Sequence, residues 1–150
     1  MKNRREERMR NYYEEEKMRL FPFSFRELLI AGMFLYWGEG NKSTRHAISL
    51  ANTDPFVVKF FHYWLVNILG VGKQKIKVNL QLYSDMSIEN ETVFWSKQLG
   101  IKKDHFNKPY IKTSKKTSVD HKGFGHGTCT LTIVKDRLLM GIKAIGDNFN

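Results

Sequence analysis

From Lys75 to Leu82 the chain reads Lys-Ile-Lys-Val-Asn-Leu-Gln-Leu, polar and apolar residues in strict alternation. Successive side chains of a strand point to opposite faces, so this run is a strand with Ile76, Val78, Leu80 and Leu82 on one side. Lys75, Lys77, Asn79 and Gln81 lie on the other. Thr128 to Val134 repeats the pattern, opposing Thr128, Thr130 and Thr132 to Cys129, Leu131 and Ile133. Two strands of this kind require a sheet covered by helices on one side and wet on the other. The predicted class is α+β, a mixed or antiparallel sheet with helices on one face.

Caps and breakers place the remaining elements. Residues 2 to 19 are charged helix formers with scattered Met9, Tyr12, Tyr13 and Met18, an extra N-terminal helix that Phe21-Pro22-Phe23 ends. This predicts a charged arm over 1–22 and one domain over 23–150. Ser24 and Glu27 form a Ser-x-x-Glu capping box with Phe23 positioned to staple on Leu28. The helix is predicted from Phe25 to about Trp37, stopped by Gly38 and Gly40, which can adopt positive φ where other residues cannot. A strand from His46 to Ala51 leads to Asp54 as N-cap and Pro55 at the first position of a helix ending at Leu69 and Gly70. Glu89 to Leu99 reads as a helix closed by Gly100, Tyr110 to Ser114 as a strand, Lys115 to Gly127 as loop, and Asp136 to Ile145 as a last helix.

Charge narrows the partner. The chain holds 25 Lys and Arg against 15 Asp and Glu, while 41% hydrophobic residues exclude a disordered basic tail. The excess is concentrated: Lys73 to Lys116 holds ten Lys against Asp85, Glu89, Glu91 and Asp104. Such clustering favours a polyanion, because each phosphate neutralised releases counterion. The wet face offers Lys75, Lys77, Asn79, Gln81, Thr128, Thr130 and Thr132 with no acid among them. Lys and Thr contact phosphates, and Asn and Gln pair with adenine in a major groove; a merely solvated face is the competing reading. The longest apolar stretch, Phe56 to Leu69, is interrupted by Lys59, His62 and Asn67, so no membrane span is expected. With no visible secretory signal and a single cysteine, Cys129, a reducing cytoplasmic setting is expected.

The helix from Phe25 ends Leu35-Tyr36-Trp37-Gly38-Glu39-Gly40, delivering one carboxylate between two glycines. A negative charge there meets the negative end of the helix dipole, an unfavourable position unless a cation sits nearby. An exposed capping Glu is the alternative. This segment, followed by Ile48-Ser49-Leu50-Ala51-Asn52-Thr53-Asp54-Pro55, resembles the LAGLIDADG homing endonucleases and their bacterial relatives. The resemblance implies a saddle-shaped sheet on double-stranded DNA, Glu39 as ligand of catalytic Mg²⁺, and pairing of the motif helix with a counterpart. With one motif per chain it implies a homodimer, and Ala31, Gly32, Leu35 and Gly38 are the residues expected at the helix contact. The family fits two strands where this chain has only Asn41 to Asp54, so a vestigial first strand is expected.

The expected function is a dimeric, Mg²⁺-dependent DNA endonuclease; the alternatives are a non-catalytic DNA-binding or regulatory protein on the same fold and an RNA-binding module. Lys112 is a candidate to assist at the scissile phosphate, and Lys115 and Lys116 join it as basic loop contacts. His121, His126 and Cys129 have a zinc-like spacing without a fourth ligand, and Cys129 falls on its strand's apolar face, unfavourable for a nucleophile.

Overall fold

The capping box at Ser24 forms as predicted: Ser24 Oγ accepts from Glu27 N at 3.2 Å, and Glu27 Oε2 accepts from Ser24 N at 2.7 Å. In this computed structural model, which describes residues 2–43, 46–119, 123, 125–134 and 136–148, that box starts α2 (Phe25–Glu39). Preceding it is α1 (Lys2–Leu20), whose axis meets that of α2 at 112°. The end of α2 differs from expectation. Gly38 lies inside the helix, and Gly40 caps it with extended backbone at φ −73°, so neither uses positive φ. Gly40 is required for space instead, since a Cβ there would fall 2.3 Å from Tyr36 O and 2.4 Å from the Tyr36 ring.

The chain then forms a two-residue strand β1 (Gly40–Asn41), the short first strand expected, and β2 (Ala47–Asn52). Asp54 caps α3 (Pro55–Tyr63) by accepting from Phe56 N at 2.8 Å. The rest of that helix is not regular: Trp64–Ile68 widens into a π-helical turn, and Val71 N bonds to Leu65 O as the chain leaves through Gly70 at φ 65°. β3 (Lys77–Tyr83) starts later than expected, because Lys73–Lys75 closes a 3₁₀ turn with Ile76 N on Lys73 O. Then come α4 (Ile88–Leu99) closed by Gly100 at φ 62°, the short β4 (Tyr110–Lys112), β5 (Thr128–Val134) and α5 (Asp136–Asp147).

The sheet order is β1-β2-β5-β3-β4, with β4 parallel to β3 and the other pairs antiparallel. Ile48, Leu50, Val78, Leu80, Leu82, Cys129, Leu131 and Ile133 are buried on one face, against Tyr36, Phe61, Trp64 and Trp95 from the helical layer. The predicted alternation therefore holds in β3 and β5, while in β2 Ser49 is buried along with Ile48 and Leu50. Ile142 and Ile145 of α5 line one cavity with Met33, Phe34 and Trp37, placing α5 beside α2. Among the described residues no single helix is long and apolar enough to cross a membrane.

Candidate nucleic-acid interface

Strand register aligns the side chains of the sheet's second face in rows, of which Ser49 alone is buried. Ser49, Thr132 and Lys77 form one row, Ala51, Thr130 and Asn79 the next, and Thr128, Gln81 and Tyr110 a third. Tyr83 and Lys112 follow on the β3–β4 side. Lys77 and Gln81 are exposed and the three threonines half-buried, and no row contains an acid. Ser49 Oγ lies 3.0 Å from Thr132 Oγ1, and Asn107 Nδ2 donates to Asn79 Oδ1 at 2.8 Å, leaving the Asn79 amide N–H groups for a partner. The expected face is thus assembled, with Lys75 moved off it onto the turn before β3, where it remains exposed.

Sequence reasoning did not include Ser49, Ala51 and Tyr110 on this face. The first two were signalled by the Ile48 and Leu50 alternation. Tyr110, 64% exposed, is brought beside Gln81 by the parallel β3–β4 pairing, for which the chain carries no local signal.

Strand order separates the two expected catalytic residues. Glu39 is exposed at the end of α2, next to β1 at one edge, and Lys112 is on β4 at the other. Four strand spacings of about 4.8 Å put those edges about 19 Å apart, too far for both side chains to meet one phosphate within a single chain. Lys112 Nζ instead lies 4.7 Å from the Tyr83 ring centroid, a cation–π contact. Lys116 Nζ donates to Gly125 O at 2.9 Å while Asp85 accepts from the Lys116 and Thr117 backbone, so this lysine fastens its own loop. The same bonds hold the Asp85 carboxyl below its ordinary pKa. Lys115 is exposed.

Comparison with family models, curated proteins and solved structures finds no match.

Among the described residues no group of three His, Cys, Asp or Glu is placed to hold an ion. Glu39 has no hydrogen bond or ion pair among those residues. The zinc spacing does not close either. Cys129 is fully buried, and burial pushes its thiol far above the usual range, while His126 Nδ1 lies 2.8 Å from Glu91 Oε2 with its ring stacked on Phe94 at 3.6 Å. His121 lies outside the described residues.

The expected pairing helix is also rearranged. Gly32 faces inward, where a Cβ would lie 2.1 Å from Trp64 Nε1, and Leu35 is half-buried against the core. Neither is on an outer face. The outward stripe of α2 is Glu27, Ile30, Ala31, Phe34, Trp37 and Gly38, with Ile30, Phe34 and Trp37 between 41% and 54% exposed.

Proposed function

We propose that this protein binds double-stranded DNA across the open face of its sheet, the face that a LAGLIDADG-type saddle would turn to the duplex. The observation that carries the reading is the acid-free alignment of Lys77, Asn79, Gln81, Thr128, Thr130 and Thr132 on adjacent strands. β2, β5 and β3 span two strand spacings, about 10 Å, against about 12 Å for a major groove. Lysines and threonines supply phosphate contacts, and Asn79 and Gln81 the bidentate groups that distinguish bases. Such a protein works where chromosomal DNA is, in a bacterial-type cell the cytoplasm.

A second copy is the proposed protein partner. Ile30, Phe34 and Trp37 form an exposed apolar stripe in which Ala31 and Gly38, seven residues apart, permit close helix approach. Phosphodiester hydrolysis is the second reading. It is favoured by Glu39, a carboxylate without a partner among the described residues at a helix C-terminus, where its charge is destabilising. Because no three such donors meet among the described residues of one chain, that reading calls for paired chains and Mg²⁺ held in part by DNA.

Fluorescence anisotropy on a random duplex over about 50 to 200 mM salt tests binding. The Lys77→Ala variant should lower the salt slope by about 1, close to one unit for the phosphate no longer neutralised. An unchanged slope removes this face as the footprint, and tighter binding of single strands than of duplex favours the RNA alternative. Plasmid incubated with Mg²⁺ tests cleavage: nicking by wild type and none by Glu39→Gln supports the endonuclease, and intact plasmid with both leaves binding alone.

A further inference from the structure

α1 contributes nothing to the core: every residue from Asn3 to Leu20 is exposed. Isolated helices of this length are marginal in water. Its charges make it less stable still, because the first turn carries Lys2, Arg4 and Arg5 and no acid at the positive end of the helix dipole. A helix in this condition gains from an anion brought by a partner.

The arginines are arranged to meet one. At 3.6 residues per turn, Arg4, Arg5, Arg8 and Tyr12 share a sector of about 100°, while Glu6 and Glu7 point elsewhere. No carboxylate among the described residues pairs with Arg4, Arg5 or Arg8. Arg19, near the other end, is instead held by Glu16. Arg4, Arg5 and Arg8 are therefore grouped on one side of the first two turns, with Arg10 on the other.

We propose that α1 is a second DNA-binding element, an arm whose Arg4, Arg5 and Arg8 take backbone phosphates beside the segment covered by the sheet. The proposal rests on the DNA reading given above and adds a separate surface to it. Guanidinium groups bind phosphate oxygens bidentately, and the Tyr12 hydroxyl can donate to the same backbone. An α-helix with its side chains is about 10–12 Å across, and a major groove about 12 Å wide, so a helix free on all sides can enter where one packed on its own domain cannot. Nineteen residues at about 1.5 Å each give an arm of about 28 Å, or about eight base pairs of duplex axis.

The test uses the full chain and a duplex of about 30 base pairs. The Arg4→Ala, Arg5→Ala, Arg8→Ala triple variant should lower the salt slope by about 3, and the corresponding triple Lys variant should keep it. Circular dichroism should show helix gained on DNA addition by wild type and not by the Ala variant. A wild-type slope in the Ala variant overturns the proposal. It is also overturned if sedimentation shows the Ala variant losing self-association with its slope intact, which assigns the arm to an acidic protein surface. Failure of the sheet reading is distinct: the Lys77→Ala slope stays at the wild-type value while the arm variant's falls. If wild type shows no salt-dependent binding, both readings fall.

Discussion

Replacing Gly32 with Ala adds one methyl group in the middle of α2, a change that ordinarily stabilises a helix by about 1 kcal/mol. Here the sign reverses. The new carbon would lie 2.1 to 2.3 Å from Nε1, Cε2 and Cδ1 of Trp64, more than an ångström inside van der Waals contact. The indole has nowhere to retreat: it is fully buried, stacks on Phe61 at 5.8 Å, and donates from Nε1 to Leu29 O at 3.3 Å. Overpacking of this kind costs about 1–3 kcal/mol, and a clash with a rigid ring belongs at the upper end. Displacing the indole loses about 1 kcal/mol of net hydrogen bonding. Against the helix-propensity gain, Gly32→Ala should destabilise by about 2–3 kcal/mol, lowering the melting temperature by roughly 5–10 °C in a chain of this size. Gly38→Ala is the internal control. Nothing lies within 4 Å of a Cβ built at Gly38, which is itself helical, so the same substitution there should be neutral or stabilising by up to about 1 kcal/mol. Urea unfolding of both variants and wild type decides the matter. A Gly32→Ala midpoint at or above wild type refutes the packing of α2 on the π-helical turn.

Two further predictions concern the surface and the interior. Ile30→Glu puts a charge on the outward stripe of α2 at a residue outside the cavity shared with α5, so sedimentation at micromolar concentration should show a dimeric wild type and a monomeric variant; equal mass for both refutes pairing through this helix. His62 is buried with Nε2 unpartnered, and burial, assisted by the charge of Lys73, lowers its pKa. The unfolded chain therefore takes up the proton first, so this contribution is complete above about pH 6.5 and is lost as pH falls towards the depressed folded value. His62→Phe should flatten the fall in urea midpoint between about pH 7.5 and 5, and parallel profiles for the two proteins would count against it.

Periodicity made the faces legible. Alternation in Lys77 to Leu82 and in Thr128 to Val134 placed each side chain in or out correctly, because the strand period of two does not depend on which strands are neighbours. Ser24-x-x-Glu27, Asp54-Pro55 and Gly100 marked helix ends through bonds within a few residues. What depends on distant pairing was hidden. Nothing local places Glu39 and Lys112 at opposite sheet edges, sends Lys116 Nζ to Gly125 O, or directs Gly32 onto Trp64 rather than onto another helix. The glycines of the Gly-Glu-Gly run illustrate the limit: an expected left-handed turn proved to be a need for room beside Tyr36.

The position of β5 between β2 and β3 has a consequence for how the sheet is made. β2 and β3 share no hydrogen bonds, and each acquires its inner neighbour only when β5 arrives from late in the chain. Asn52 must find Cys129 with more than half of the sequence looped between them. A growing polypeptide thus leaves the ribosome with the flanks of its sheet present and the middle missing, so it must keep two apolar half-sheets apart until the last strand inserts. Closure of that long loop, rather than helix formation, should govern the folding rate and the interval during which nascent chains are open to aggregation.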